Sequence, residues 1–220
     1  MPWRIEGLSR EHVAREALNL IDEEGLGALT MRRVAERMGV GVMSLYHHLP
    51  NKQALMDDVV DAILVELDVP PHDGDWGTTL QAILASARRT ILRHPAAVPL
   101  LMARQPSTTA ALAAMDAGIG ALIRAGFDPA GAARVHRCAA SYLLGYVSLE
   151  LSGFLPSDSA ELGLPTPEQL AADYPYLVAA SPHLLAYDAD ADFAAGLRAL
   201  LDGLAQDTSA GDGAGRERRP

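Results

Sequence analysis

Apolar positions recur along this chain at helical spacing, and the breaks between runs fall on glycine, proline and asparagine. After a cap at Ser9, Val13, Ala17, Leu20 and Ile21 form one stripe that stops at Gly25. Thr30 is placed to cap a second helix through its hydroxyl, with Val34, Ala35 and Met38 as its apolar positions. Gly39 suits the left-handed conformation that ends a helix. A very short third helix is expected over 42–48, with Leu45 as its core contact. Asn51 then caps a longer helix over 52–67, whose apolar face is Ala54, Leu55, Val59, Ala62, Ile63 and Leu67. The Pro/Gly/Asp-rich stretch 68–75 divides the chain. Beyond it the pattern predicts helices over 76–93, 107–125 and 128–151, with a short apolar piece over 96–103. Asp128 followed by Pro129 is a strong helix start, and Gly126 a stop. A loop is expected over 153–165, then a short helix from Thr166 that Pro175 interrupts. A last helix opens at Asp188 or Asp190 and runs to about 205. Residues 207–220 are small, polar and charged, and are expected to be a disordered tail.

The two helices around Gly39-Val40-Gly41 have the layout of a helix-turn-helix, with the second helix laid in a DNA major groove. With Leu45 inward, Val42, Met43, Ser44, Tyr46, His47 and His48 remain outside. That mixture of apolar, hydroxyl, aromatic and imidazole groups suits thymine methyls, base edges and phosphates. Charge changes the picture less simply. The 220-residue chain has a formal net charge of -10, unusual for a DNA binder. Between 30 and 52, however, Arg32, Arg33, Arg37 and Lys52 stand against Glu36 alone. A local positive patch on an acidic body is enough for phosphate contact; the other reading of the same residues is a solvated helical face. Lys52 falls in the first turn of its helix, where free N–H groups favour an anion. Arg4, in a short arm before the first helix, either reaches a phosphate or frays with the terminus.

Nearly half the residues are apolar while aromatics are few, which favours packed helices over a β-sandwich. The single cysteine, Cys138, permits no intrachain disulfide and fits a reducing compartment. The N-terminus lacks the apolar centre of a signal peptide, and no run reaches the ~18 apolar residues of a membrane span, so a soluble, cytoplasmic chain is expected. No nucleophile elbow, phosphate-cradling loop or zinc-protease motif is present, and no enzyme or cofactor is expected. His136 and Cys138 would point to opposite sides of a helix. His47 and His48 point ~100° apart with no cluster to complete a tetrahedron, so no metal site is expected.

Gly39-Val40, Leu45-Tyr46-His47-His48 and Pro50-Asn51-Lys52 together resemble the signature of the tetracycline-repressor (TetR) family of transcriptional regulators. The likeness extends back to Ser9, through Glu24, Gly25, Leu29 and Thr30, and forward to about Leu67. It implies an all-α protein: an N-terminal three-helix helix-turn-helix DNA-binding domain with its linker helix over 1–67, and a C-terminal helical ligand-binding and dimerisation domain over 75–206. It also implies that Arg32 and the exposed face of the recognition helix meet bases, while Thr30, Tyr46, His48 and Lys52 meet phosphates. Tyr46 packing between helices is the alternative. Gly41 stands where many members have Ser or Thr, and Val42 and Met43 replace polar or small residues, which points to apolar base contacts.

The body resembles the tetracycline-repressor-type C-terminal domain through Trp76, Arg104, Pro106, Gly126-Phe127 and the stretch Leu144 to Glu150. The likeness implies that 128–151 and 189–205 pack against their twins in a homodimer. In the last helix Phe193, Ala194, Leu197, Leu200, Leu201 and Leu204 form a wide apolar face, which either meets a second copy or buries in its own chain. A ligand pocket is implied between the middle helices, with His94, Met102, Arg104, Met115, Ile119, His136, Tyr142 and Phe154 as candidates; each is also ordinary core or surface taken alone. The founding member's metal-bound histidine aligns with Pro99, a second ligand histidine falls near Asp68, and its asparagine near Ile83. The tetracycline–magnesium constellation is therefore missing, and a mainly apolar small effector is expected. The expected function is a homodimeric repressor released from a palindromic operator by that effector. A ligand-independent regulator or activator with the same head, and a helical small-molecule binder that does not touch DNA, are the alternatives.

Overall fold

A computed structural model describes residues 8–68, 75–103, 109–152 and 173–214. The described residues form helices and their connections, with no strand among them. The chain forms two compact units, 1–136 and 137–220.

In the first unit, α1 spans Arg10–Glu24, α2 Met31–Met38, α3 Val42–His48 and α4 Lys52–Val65. Side-chain caps set three of the starts. Ser9 Oγ accepts from the His12 N–H (3.2 Å), Thr30 Oγ1 from the Arg33 N–H (3.1 Å), and Asn51 Oδ1 from the Ala54 N–H (2.9 Å). Gly39 ends α2 at φ 66° and ψ 27°, a left-handed conformation in which a side chain would be strained. Val13, Ile21, Leu29, Val34, Leu45, Leu49, Leu55, Val59 and Ile63 are fully buried in one cluster. Ala97 and Leu100 belong to the same cluster, so the core of the helix-turn-helix head is completed by residues well beyond 67. They are delivered by α5 (Trp76–Arg93), a 3-10 turn at Pro95–Ala97, and α6 (Val98–Ala103). Asp75 caps α5 by accepting from the Gly77 and Thr78 N–H groups. Helix α7 (Thr109–Arg124) and Gly126, at φ 100°, bring Phe127 edge-on to Trp76 with ring centroids 5.0 Å apart.

The division between units falls inside α8, Pro129–Leu151. In the second unit α9 spans Pro175–Leu185 and α10 Ala189–Ala214. Tyr142 and Tyr146 of α8 pack on Phe193 of α10, with centroids 5.4 and 5.1 Å away. The Tyr142 hydroxyl donates to the Phe193 carbonyl (3.1 Å), and that of Tyr146 lies 2.6 Å from the Tyr187 hydroxyl. Leu197 and Leu201 are buried on the same side of α10.

Tyr174 is non-helical and Pro175 is the first residue of α9, where its missing N–H costs nothing, so a break falls at Pro175 as expected. One expectation needs correcting. The last helix continues to Ala214, into the stretch expected to be a tail. The expected short helix from Thr166 lies outside the described residues.

Candidate nucleic-acid interface

Helix α3 is seven residues long and exposes most of them, because Leu45, at 0% exposure, is its one fully buried side chain. Met43 is 71% exposed and Tyr46 44%, while His47 and His48 are exposed and Ser44 is half-buried. Val42 differs from expectation: it is half-buried and packs on the head core, leaving part of its surface outward. Thr30, Arg32 and Lys52 are exposed, although the Thr30 hydroxyl is already engaged as the α2 cap. Of the residues expected to meet DNA, Met43, Tyr46, His47 and His48 thus share one exposed short helix, flanked in sequence by caps at Thr30 and Asn51.

The positive patch expected from the sequence is largely neutralised. Arg37 reaches Glu16 (3.0 Å) and Glu23 (2.6 Å) on α1, Arg33 pairs with Glu24, and Arg32 pairs with Glu36 one turn along α2 (2.7 Å). The hydrogen bonds that Arg37 donates to Glu23 and then Glu16 hold its guanidinium above its ordinary value, and Arg37 in turn lowers Glu23. The Arg33 and Arg37 pairs brace α2, which leads into the turn before α3, against α1. Lys52 has no ion pair among the described residues, and Arg32, with its side chain 81% exposed, has the most accessible guanidinium of the three. Sequence reasoning missed the bracing role because Glu16 and Glu23 lie 21 and 14 residues from Arg37, beyond any local pattern.

The residues expected to meet a ligand are spread over several elements. Arg104 and Phe154 lie outside the described residues. Met102 is 56% exposed on α6, Met115 and Ile119 are half-buried on α7, and His136 is half-buried on α8. Tyr142 is engaged with Phe193. His94 bridges two carboxylates, Asp22 and Glu66. It lines a groove of about 810 Å³ between α1 and α4, together with Arg15, Leu18, Asp58, Asp61 and Val65. A second hollow of about 500 Å³ lies among Leu26, Gln53, Met56, Pro99 and Leu100. Among the described residues no His, Cys, Asp and Glu gather in a group of three suited to a metal ion. None of the described helices is long and apolar enough to cross a membrane.

Comparison with known proteins fits both halves. Residues 14–59 match the family described as "Bacterial regulatory proteins, tetR family", and residues 70–208 match "Tetracyclin repressor-like, C-terminal domain". A curated HTH-type transcriptional regulator of Saccharopolyspora erythraea is 32% identical over 202 residues, covering 90% of this chain and 85% of its own length. The tetracycline repressor protein class A from transposon 1721 of Escherichia coli is 34% identical over 197 residues, covering 88% and 89%. Among solved structures, the Streptomyces coelicolor TetR family protein ActR in complex with actinorhodin superposes with a TM-score of 0.76 at 28% identity, over 92% of this chain and 99% of that one.

Proposed function

Because the chain belongs to the TetR family of bacterial regulatory proteins, DNA-binding and ligand-responsive transcriptional regulators, we propose that it is a homodimeric repressor released from a near-palindromic operator by a small, mainly apolar effector. The observation that carries this reading is α3: a short helix held by fully buried Leu45, with Met43, Tyr46, His47 and His48 facing solvent. In a twofold pair, two such helices enter successive major grooves ~34 Å apart. Thr30, Tyr46, His48 and Lys52 then serve the phosphates. Arg32, Val42, Met43, Ser44 and His47 serve the bases, with Met43 and the outward part of Val42 suited to thymine methyls.

The effector favours a body conformation in which the head spacing no longer fits, and release needs only that it bind that state more tightly. Pro99, Asp68 and Ile83 stand where the founding member's tetracycline and magnesium contacts align, which supports an effector of different chemistry. That ActR is seen with actinorhodin supports a body of this fold taking a non-tetracycline ligand. The regulator works in the cytoplasm, where its operator is.

The test is a gel shift and anisotropy titration on the DNA upstream of the chain's own reading frame. Tyr46→Ala and Lys52→Ala are expected to weaken binding to every sequence, each reducing the slope of log affinity against log salt by about one. An unchanged slope would remove that residue from the phosphate set, and no shift at low salt would favour a helical binding protein that does not touch DNA.

A further inference from the structure

The groove between α1 and α4 ends at a cluster that the operator reading leaves unused. His94, which closes α5, holds its ring between two carboxylates: Nδ1 lies 2.7 Å from Asp22 Oδ2 on α1, and Nε2 lies 3.3 Å from Glu66 Oε2 at the end of α4. The His94 side chain is 12% exposed. An ionised carboxylate only accepts, and a neutral imidazole carries one N–H. Both contacts are therefore satisfied only by the imidazolium, and loss of its proton sets a ring lone pair against an ionised oxygen.

The charged groups around the ring come from three helices. Asp22 faces it from α1, where Arg10, Glu11 and Arg15 line the same groove. Glu66 faces it from α4, with Asp61 and Asp58 farther along. Arg93 of its own helix puts Nη2 2.6 Å from the same Glu66 oxygen, and Arg10 is occupied with Asp58. Two carboxylates thus touch the ring directly, against one guanidinium that shares Glu66. Just after His94, the 3-10 turn and α6 deliver Ala97 and Leu100 into the head core.

We infer that His94 is a positioning residue for operator binding, locking α1 and α4 to the end of α5 only while both ring nitrogens carry protons. It occupies the point where the chain re-enters the head, so its arms to Asp22 on α1 and Glu66 on α4 together set the angle at which α1, and α2–α3 braced on it, are presented. When the ring loses a proton the Glu66 arm opens and the head loosens, so operator affinity falls as pH rises. Burial pushes the Glu66 carboxyl up, but hydrogen bonds from Arg93 and His94 outweigh it and hold the group below its ordinary value, which keeps the acceptor ionised throughout. The inference rests on the operator reading, so its test needs a readout that does not use DNA.

Operator affinity is to be measured by anisotropy with the full chain at fixed ionic strength, from about pH 6 to about pH 8.5. The wild type should lose at least about fivefold more affinity over that range than His94→Gln, a modest coupling between sites. Subtracting the variant's profile removes what His47 and His48 contribute at the DNA. Asp22→Asn should flatten the profile in the same direction, and it serves where His94→Gln folds poorly. Parallel profiles for wild type and variants would overturn the inference. Without DNA, the thermal midpoint of the wild type should fall over the same pH range more than that of His94→Gln, alongside deprotonation of a single ¹⁵N-labelled imidazole that the variant lacks. If no DNA is bound at any pH, the operator reading fails; if the two midpoints move in parallel, the lock fails.

Discussion

Asp61 is a carboxylate whose Oδ1 is buried without a hydrogen-bond partner among the described residues. Burial raises it above the ordinary aspartate range, Asp58 and Asp57 add to the rise, and Arg10 opposes it. With the folded value above the unfolded one, the fold favours the protonated form. Its stabilising effect is complete below the ordinary aspartate range and is lost as pH rises through the folded value. Asp61→Asn is therefore expected to raise the thermal midpoint at neutral pH, with the gain shrinking as the pH is lowered toward the ordinary aspartate value. A variant no more stable than wild type at neutral pH would show that water or a neighbour satisfies the oxygen. Such a residue cannot be picked out from sequence, since Asp57, Asp58 and Asp61 look alike as polar positions on one helix. The caps at Ser9, Thr30 and Asn51 were legible because each makes its bond only three residues away.

Between elements, the contact of α8 with α10 turns on Gly196. A Cβ built there would lie 2.3 Å from the Tyr142 hydroxyl and 3.1 Å from its Cζ. Gly196→Ala should displace Tyr142, break its bond to the Phe193 carbonyl and cost about 1–3 kcal/mol, as overpacking of a tight contact does. Tyr142→Phe removes the atom that clashes most, so the double variant should be more stable than the sum of the single changes, a coupling read by chemical denaturation. Strict additivity would mean that α10 shifts to absorb the methyl. The apolar face of α10 was legible from its period, and Phe193, Leu197 and Leu201 are buried on it. Its tight partner was not, because a glycine inside a helix announces neither what approaches it nor from where.

Taken whole, the molecule has a formal net charge of -10 and yet is organised to approach a polyanion. A count of charges over 30–52 finds a basic stretch, but three of its four cations are held by glutamates, two of them through α1. Charge pattern in sequence therefore overstated the field of this stretch, since most of the compensating residues arrive by tertiary packing. Glu36 is the partner that is purely local, exposed, and on the same helix as the arginine it holds. Glu36→Gln should leave the fold nearly unchanged, because an exposed pair one turn apart contributes little to stability. On unrelated DNA, where Arg32 meets no matching base edge, it should also free the Arg32 guanidinium for a phosphate. Affinity for unrelated DNA at low salt should then rise, and the slope against log salt should steepen by about 0.9 for each added phosphate contact. Discrimination between operator and unrelated DNA should fall, because the gain carries no sequence information. If the slope and the discrimination both stay as in the wild type, Arg32 already leaves Glu36 on binding, and the acidic residues brace the head without tempering its grip on DNA.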